Sequence, residues 1–347
     1  MITQKQWRWA APVVVLAALA LVVAQLRRAP PFDWVAFRAA FSGLDWRWLA
    51  LAGLSAYATY YVRALRWAVF LRPMRPHPGM WNLVKATIIG FTAITLLGRP
   101  GEIVRPYLIS RKEDVSLASQ LAAWFLERLF DLLFALGIFG FGLSHLDASR
   151  VRTSAPLRWA FHAGGALVLI LSTICLILLV LLSGYAETCR TRLVAALGFL
   201  HEHHLAKAEK SIDTFLQGVE SLRGIRPVLE LGLYTALEWI LIAGCYLCVT
   251  RSFVGIFRFS LVDVLTYMGF VAFGAVVQLP GIGGGMQVVS VLVLHELFGI
   301  GVATATGMTL VLWIITFVIL VPVGVVLAIQ EGLTWRSWRV LQEETAL

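Results

Sequence analysis

The chain has 347 residues, 59% of them apolar and only 14% charged, which excludes a water-soluble globular domain. Its net charge of +9 would suit nucleic acid, but the basic residues sit in short clusters between apolar runs, where helices end near anionic headgroups. A membrane surface is therefore the expected partner, and nucleic acid is not. Roughly nine windows of about 17 to 25 mostly apolar residues approach the length needed to cross a ~30 Å hydrocarbon layer. Their uninterrupted Leu, Val, Ile, Ala and Phe runs do not alternate as barrel strands do. The expected class is an all-α polytopic membrane protein.

In chain order, the first span is predicted over Ala10 to Leu26. It ends in Gln25, Leu26, Arg27 and Arg28 without a small-residue cleavage site, so it reads as a retained helix. A polar and aromatic connector then runs from Arg27 to Arg47. The next helix covers 46–71 and is closed by Arg72, Pro73, Arg75, Pro76 and Pro78. An apolar stretch at 80–97, a break at Gly98-Arg99-Pro100-Gly101 and a short segment to Ser110 are too broken to form one span. Long helices follow at 116–143 and 158–183. Residues 184–226 are charged, yet Leu205, Ala208, Ile212, Phe215, Leu216 and Val219 recur at helical spacing, which predicts an amphipathic connector outside the hydrocarbon. Segments at 227–250 and 260–279 lead to a second break, Pro280 to Gly285, a short helix to about Phe298 and a long helix at 301–330.

Each half thus repeats an apolar segment, a Pro/Gly-rich break, a short helix and a long helix, a pattern seen in transporters with corresponding interrupted segments. Treating both broken pairs as re-entrant hairpins leaves about six full spans in a single domain, 1–347. With the N-terminus inside, 17 of the 29 basic residues face the cytoplasm and nine face outward, which supports cytoplasmic termini and a cytoplasmic 184–226 connector. Three full spans separate the hairpins, so they enter from opposite faces, a pseudo-inverted repeat.

Polar atoms inside hydrocarbon are the informative ones, since a charge at the bilayer centre costs about 2.5 to 3.5 kcal/mol on the insertion scale. Arg99, Glu102 and Arg105 straddle the first break, Glu127, Arg128 and Asp131 share the following helix, Glu230 and Glu238 lie at 227–250, and His295 and Glu296 lie in the second short helix, while Arg63 and Arg66 enter only the charge count, as residues within a helix. Glu127 and Asp131 are four residues apart on one helix face, with Arg128 three before Asp131, which fits either an internal ion pair or a substrate contact. The glycine-rich breaks fit either tight helix packing or a wet cavity where short helices direct backbone N–H groups at an anion, with phosphate the obvious lipid candidate. Cys175, Cys189, Cys245 and Cys248 read as packing residues. His201-Glu202-His203-His204 reads as a solvated turn, so no metal or cofactor is expected. No Walker loop is present: Gly-Arg-Pro-Gly-Glu is not followed by Gly-Lys-Ser/Thr.

Gly98-Arg99-Pro100-Gly101-Glu102 with Arg105, then Glu127-Arg128 with Asp131, then the 280–285 glycine cluster before a short helix, resembles the flippase-like family defined by the transmembrane region of lysylphosphatidylglycerol synthase. The resemblance spans nearly the whole chain. It implies an inner-membrane protein that moves a phospholipid or lipid-linked headgroup between leaflets. It implies contacts from Arg99, Gly101, Glu102, Arg105, Glu127, Arg128 and Asp131 in the first half and Gly283, Gly284, Gly285 and Gln287 in the second. Gln287 stands where the family often has Glu, and Trp313 where it often has Arg. The bifunctional synthases add a soluble aminoacyl-transferase domain, which nothing after Ala328 would form, so no enzyme activity is expected. The rival readings are a membrane transferase using Glu102 or Asp131 as a base, and a non-transporting partner of a lipid-modifying enzyme. A homo-oligomer fits either.

Overall fold

A computed structural model of the chain describes residues 32–147, 149, 155–182, 224–275, 278–279 and 283–332. The expected helix at Ala10–Leu26, nearly all of the 184–226 connector, Pro280 to Ile282 and both termini lie outside the described residues.

The described chain is helical apart from one two-residue strand pair. Helix α1 (Trp34–Ser42) lies within the predicted connector, started by Asp33, whose carboxylate accepts from the Ala36 N–H at 2.9 Å. Helices α2 (Trp46–Leu71), α3 (Met80–Leu97), α5 (Leu117–Ser144), α6 (Ala155–Leu182) and α7 (Ile225–Ser252) fall within three residues of the bounds read from hydropathy. Between α3 and α5 come a 3-10 turn at Arg99–Ile103 and helix α4 (Val104–Glu113). Among the described residues, three stretches, Met80–Leu97, Ile225–Ser252 and Val302–Gln330, are long and apolar enough to cross a membrane by length and composition.

The second half departs from expectation in two places. Helix α8 (Leu261–Gly274) ends five residues early, and Gln278–Leu279 pairs antiparallel with Gly283–Gly284 before α9 (Gly285–Leu292) and a π-helical turn at Val293–Leu297. The expected single helix at 301–330 is two, α10 (Val302–Thr316) and α11 (Val321–Gln330), joined by a 3-10 turn at Val318–Leu320. Pro322 explains the break, since it lacks the N–H that would bond Val318 and its ring crowds that carbonyl. Tyr60 donates to the Thr316 carbonyl at 2.8 Å and Tyr57 to the Ile319 carbonyl at 3.0 Å, so the interruption is satisfied from α2.

Both broken pairs fold back on themselves. In the first, Gly98 turns the chain at φ +72°, a region open to glycine, and Gly101 lies so close to the Ala93 backbone that a Cβ there would overlap it. The chain returns to its start: the Glu113 carboxylate accepts from Asn82 at 2.8 Å and the Gly79 N–H at 3.1 Å and pairs with Arg75 at 2.9 Å. In the second, Phe257 and Phe259, before α8, meet Phe298, after the π turn, with centroids 5.4 and 5.0 Å apart.

Helices α2 and α7 run antiparallel along each other from end to end. Arg72 pairs with Glu230 at one end, Ser55 donates to the Leu241 carbonyl at 2.7 Å, and the Asp45 N–H reaches the Ser252 carbonyl at 2.9 Å at the other end. The first hairpin closes at the Arg72 end, and the second at the Asp45 end, where Phe41 meets Phe253 edge to face. Apolar residues cover the outside: Leu229, Leu233, Leu237 and Ile240 form an exposed stripe on α7, as do Ile170, Ile174 and Ile177 on α6. Water would penalise such stripes, and lipid does not. The chain is a helical membrane protein.

Candidate functional site

Where the last third of α2 passes the middle of α5 and α7, the interior is ionic. Arg66, fully buried on α2, lies 2.6 Å from Glu127 and 2.6 Å from Asp131 on α5, and 3.2 Å from Glu238 on α7. It also donates to Thr235, whose hydroxyl is held by the Leu231 carbonyl at 2.7 Å. One turn earlier on α2, Arg63 lies 2.6 Å from Glu238. Arg105 arrives from α4, pairs with Glu127, and lays its guanidinium 4.0 Å over the Trp67 ring, whose indole N–H is fixed by Gln120 at 2.9 Å.

The spacing makes this cluster possible. Residues 63 and 66 are neighbours on one face of α2, and 127 and 131 on one face of α5, so Arg66 meets both α5 carboxylates while Arg63, one turn away, meets Glu238 of α7. Each ion loses several kcal/mol of hydration on burial, and the low-polarity interior returns it only through close pairing. Pairing is incomplete. Among the described residues, Arg63 Nε and Nη1, Arg66 Nε, Arg105 Nη1 and Arg128 Nε are buried without a hydrogen-bond acceptor, and Glu238 is bound by proximity to two arginines without aligned hydrogen bonds.

Beside Arg63 a cavity of about 160 Å³ opens between the two hairpins. Arg63, Phe91, Ile242, Val271, Met286 and Thr316 contribute to its wall from α2, α3, α7, α8, α9 and α10 respectively. Phe91 of the first hairpin carries the Arg63 guanidinium 4.5 Å over its ring, with Arg105 at 5.5 Å. The first hairpin and the second thus face one another across this space.

The residues expected as site members divide into three groups. Arg105, Glu127 and Asp131 join the ionic cluster behind the cavity wall. Arg128 joins at its edge, 39% exposed and 3.6 Å from both Glu127 and Asp131, so the pairing read from spacing exists but is secondary: Arg66 is the close partner of both carboxylates. Arg99 and Glu102 pair with each other at 2.6 Å at the tip of the first hairpin, where Gly101 is buried against α3. Gly283, Gly284 and Gly285 form the second tip, and the Gln287 side chain accepts from the Gly284 N–H at 2.7 Å, closing the start of α9. None of these eleven lines the cavity.

Arg63, Arg66 and Glu238 were visible in the sequence as charges within spans, yet no role follows from their spacing alone. The signal that identifies Arg66 is stoichiometric: two carboxylates one turn apart in a span need more cation than Arg128 alone supplies.

At the Arg72 end, Glu331, just past α11, pairs with Lys112 at 2.6 Å and Lys85 at 3.0 Å. The Lys112 hydrogen bond, opposed by partial burial and aided by Lys85, holds its carboxyl below the usual range.

A family model described as the lysylphosphatidylglycerol synthase TM region matches residues 7–324. Comparisons with curated proteins and with solved structures returned no significant match.

Proposed function

The chain belongs to the lysylphosphatidylglycerol synthase transmembrane-region family, a membrane protein family linked to lipid metabolism or transport, and from that footing we propose that it moves a lipid between the leaflets of the inner membrane. The observation that carries this reading is the cavity with one hairpin on each side. Each hairpin closes at its own end of the molecule, so a headgroup in the cavity lies between two gates based on opposite faces. Arg72, Arg75, Lys85 and Lys112 gather at the Arg72 end, which supports placing that end, both termini and the 184–226 connector in the cytoplasm. The first hairpin then enters from the cytoplasm and the second from outside.

The apolar cavity wall suits the upper acyl region of a lipid, and Arg63 suits a phosphate. No catalytic step is assigned: movement between leaflets is driven by a gradient or by consumption of the lipid on the far side. Purified protein in liposomes should expose fluorescent phospholipid of the inner leaflet to a membrane-impermeant quencher within minutes, while protein-free liposomes retain about half of the signal. Folded protein that moves no lipid from a broad panel would overturn transport and favour a non-transporting partner of a lipid-modifying enzyme.

A further inference from the structure

The interruption between α10 and α11 divides the last span between the two hairpins. Ala305, Met308, Leu312 and Ile315 of α10 belong to the apolar core that holds Met286 and Leu294 of the second hairpin. Thr309 of α10 meets Ser290 of α9 at 2.6 Å, and the same serine meets the Tyr267 hydroxyl of α8 at 2.5 Å. Leu327 and Ala328 of α11 pack instead on the core that holds Leu83, Ile89 and Leu108 of the first hairpin. Gly324 lies so close to Thr92 of α3 that a Cβ there would overlap its side chain, and Glu331 pairs with Lys85 and Lys112. Each half of the broken span thus goes with one hairpin.

The turn between the halves is held by a third element. Phe317 departs from helical geometry at φ −125°, ψ −51°, Val318–Leu320 winds as a 3-10 turn, and Pro322 has no N–H for the Val318 carbonyl. The Tyr60 and Tyr57 hydroxyls of α2 bond the Thr316 and Ile319 carbonyls on either side of that turn. Helix α2 gives Ala52 and Ala56 to one core and Ala64 and Trp67 to the other, so it is the fixed member to which the turn is fastened. Tyr60 and Thr316 also line the cavity, and a molecule entering it meets this fastening directly. We propose that the Val318–Leu320 turn is a hinge between two bodies, α10 with the second hairpin and α11 with the first, and that the Tyr57 and Tyr60 hydroxyls latch it. In such hinges a few element-terminal residues absorb the backbone change while the packed bodies move whole. A rotation of about 20° would carry the far end of the ten-residue α11 by about 5 Å. The proposal rests on the transport reading only for what the motion serves.

Full-length protein with its native cysteines replaced is reconstituted in nanodiscs, and distances between spin labels at exposed positions are measured by pulsed electron resonance. Val288→Cys/Ile329→Cys spans the two bodies, Leu96→Cys/Ile329→Cys stays within the first, and Leu51→Cys/Leu229→Cys reports on α2 against α7. Tyr57→Phe/Tyr60→Phe keeps both rings and removes both hydroxyls. It should raise the population of a second cross-body distance, displaced by about 5 Å, by about tenfold or more over the wild type, while the other two pairs keep their distances. Adding Pro322→Ala supplies the helical donor that the turn lacks, so it should suppress that second distance. An unchanged cross-body distance in the double variant, equal broadening of all three pairs, or a second distance that Pro322→Ala leaves in place would each overturn the hinge. Hinge motion without lipid movement in liposomes would leave this proposal standing and sink transport; lipid movement in a double variant with one fixed cross-body distance would do the reverse.

Discussion

Arg66 carries more of the interior than any other single side chain, because it touches carboxylates from two other helices at 2.6 to 3.2 Å with no solvent exposure. Removing it leaves Asp131 with only the distant Arg128 and takes one of the two close cations from Glu127, so Arg66→Met should destabilise by about 3–5 kcal/mol, within the range for breaking a buried pair. Arg128→Met, at 39% exposure with 3.6 Å contacts, should cost well under half as much. Denaturation of both variants in detergent separates the two, and equal losses would show that Arg128 is the principal counter-ion after all. Sequence spacing favoured Arg128 because it shares a helix with its carboxylates. A partner from another helix leaves no trace in local spacing, which is why Arg63 and Arg66 were legible as buried charges but not as members of a site.

Among elements, the first hairpin is tied to the last helix by Glu331 with Lys112 and Lys85. The carboxyl's lowered folded-state value means that this tie contributes fully above the unfolded carboxylate range, near pH 4.3, and is lost as pH falls through the lower folded value. The wild type should therefore lose its advantage in thermal stability over Glu331→Gln as the buffer is taken from pH 6 towards pH 3; a constant difference across that range would remove the tie. At the hinge between α10 and α11, Tyr60→Phe frees the Thr316 carbonyl beside the cavity and should cost about 1–3 kcal/mol, the penalty of an unsatisfied buried acceptor. An unchanged midpoint of unfolding would show that water replaces the tyrosine. At the first tip, Gly101→Val should prevent the return of the chain, because its side chain would displace the Ala93 backbone, and yield in detergent should fall sharply. The bounds of α2 and α3 were legible because Arg, Pro and Gly punctuate their ends. The α10–α11 break was missed although Pro322 marked it, because high hydropathy continues through the turn and hides a backbone interruption satisfied by tyrosines from a distant helix.

At the scale of the whole molecule, the two larger apolar cores among the described residues cluster around the two hairpins, and the antiparallel α2 and α7 span both. Composition and run length made the membrane class and the two broken pairs legible. The cavity was not, since its wall is assembled from residues as distant in sequence as Ala56 and Phe317. In the transport reading the hairpins enter from opposite faces to enclose that cavity. His77 precedes the first hairpin, and the exposed Val254 precedes the second, so each reports on its base. With the four native cysteines replaced, His77→Cys and Val254→Cys are labelled with an impermeant maleimide on intact and permeabilised cells. Val254→Cys should react in intact cells and His77→Cys only after permeabilisation. Reaction of both from the same side would contradict it.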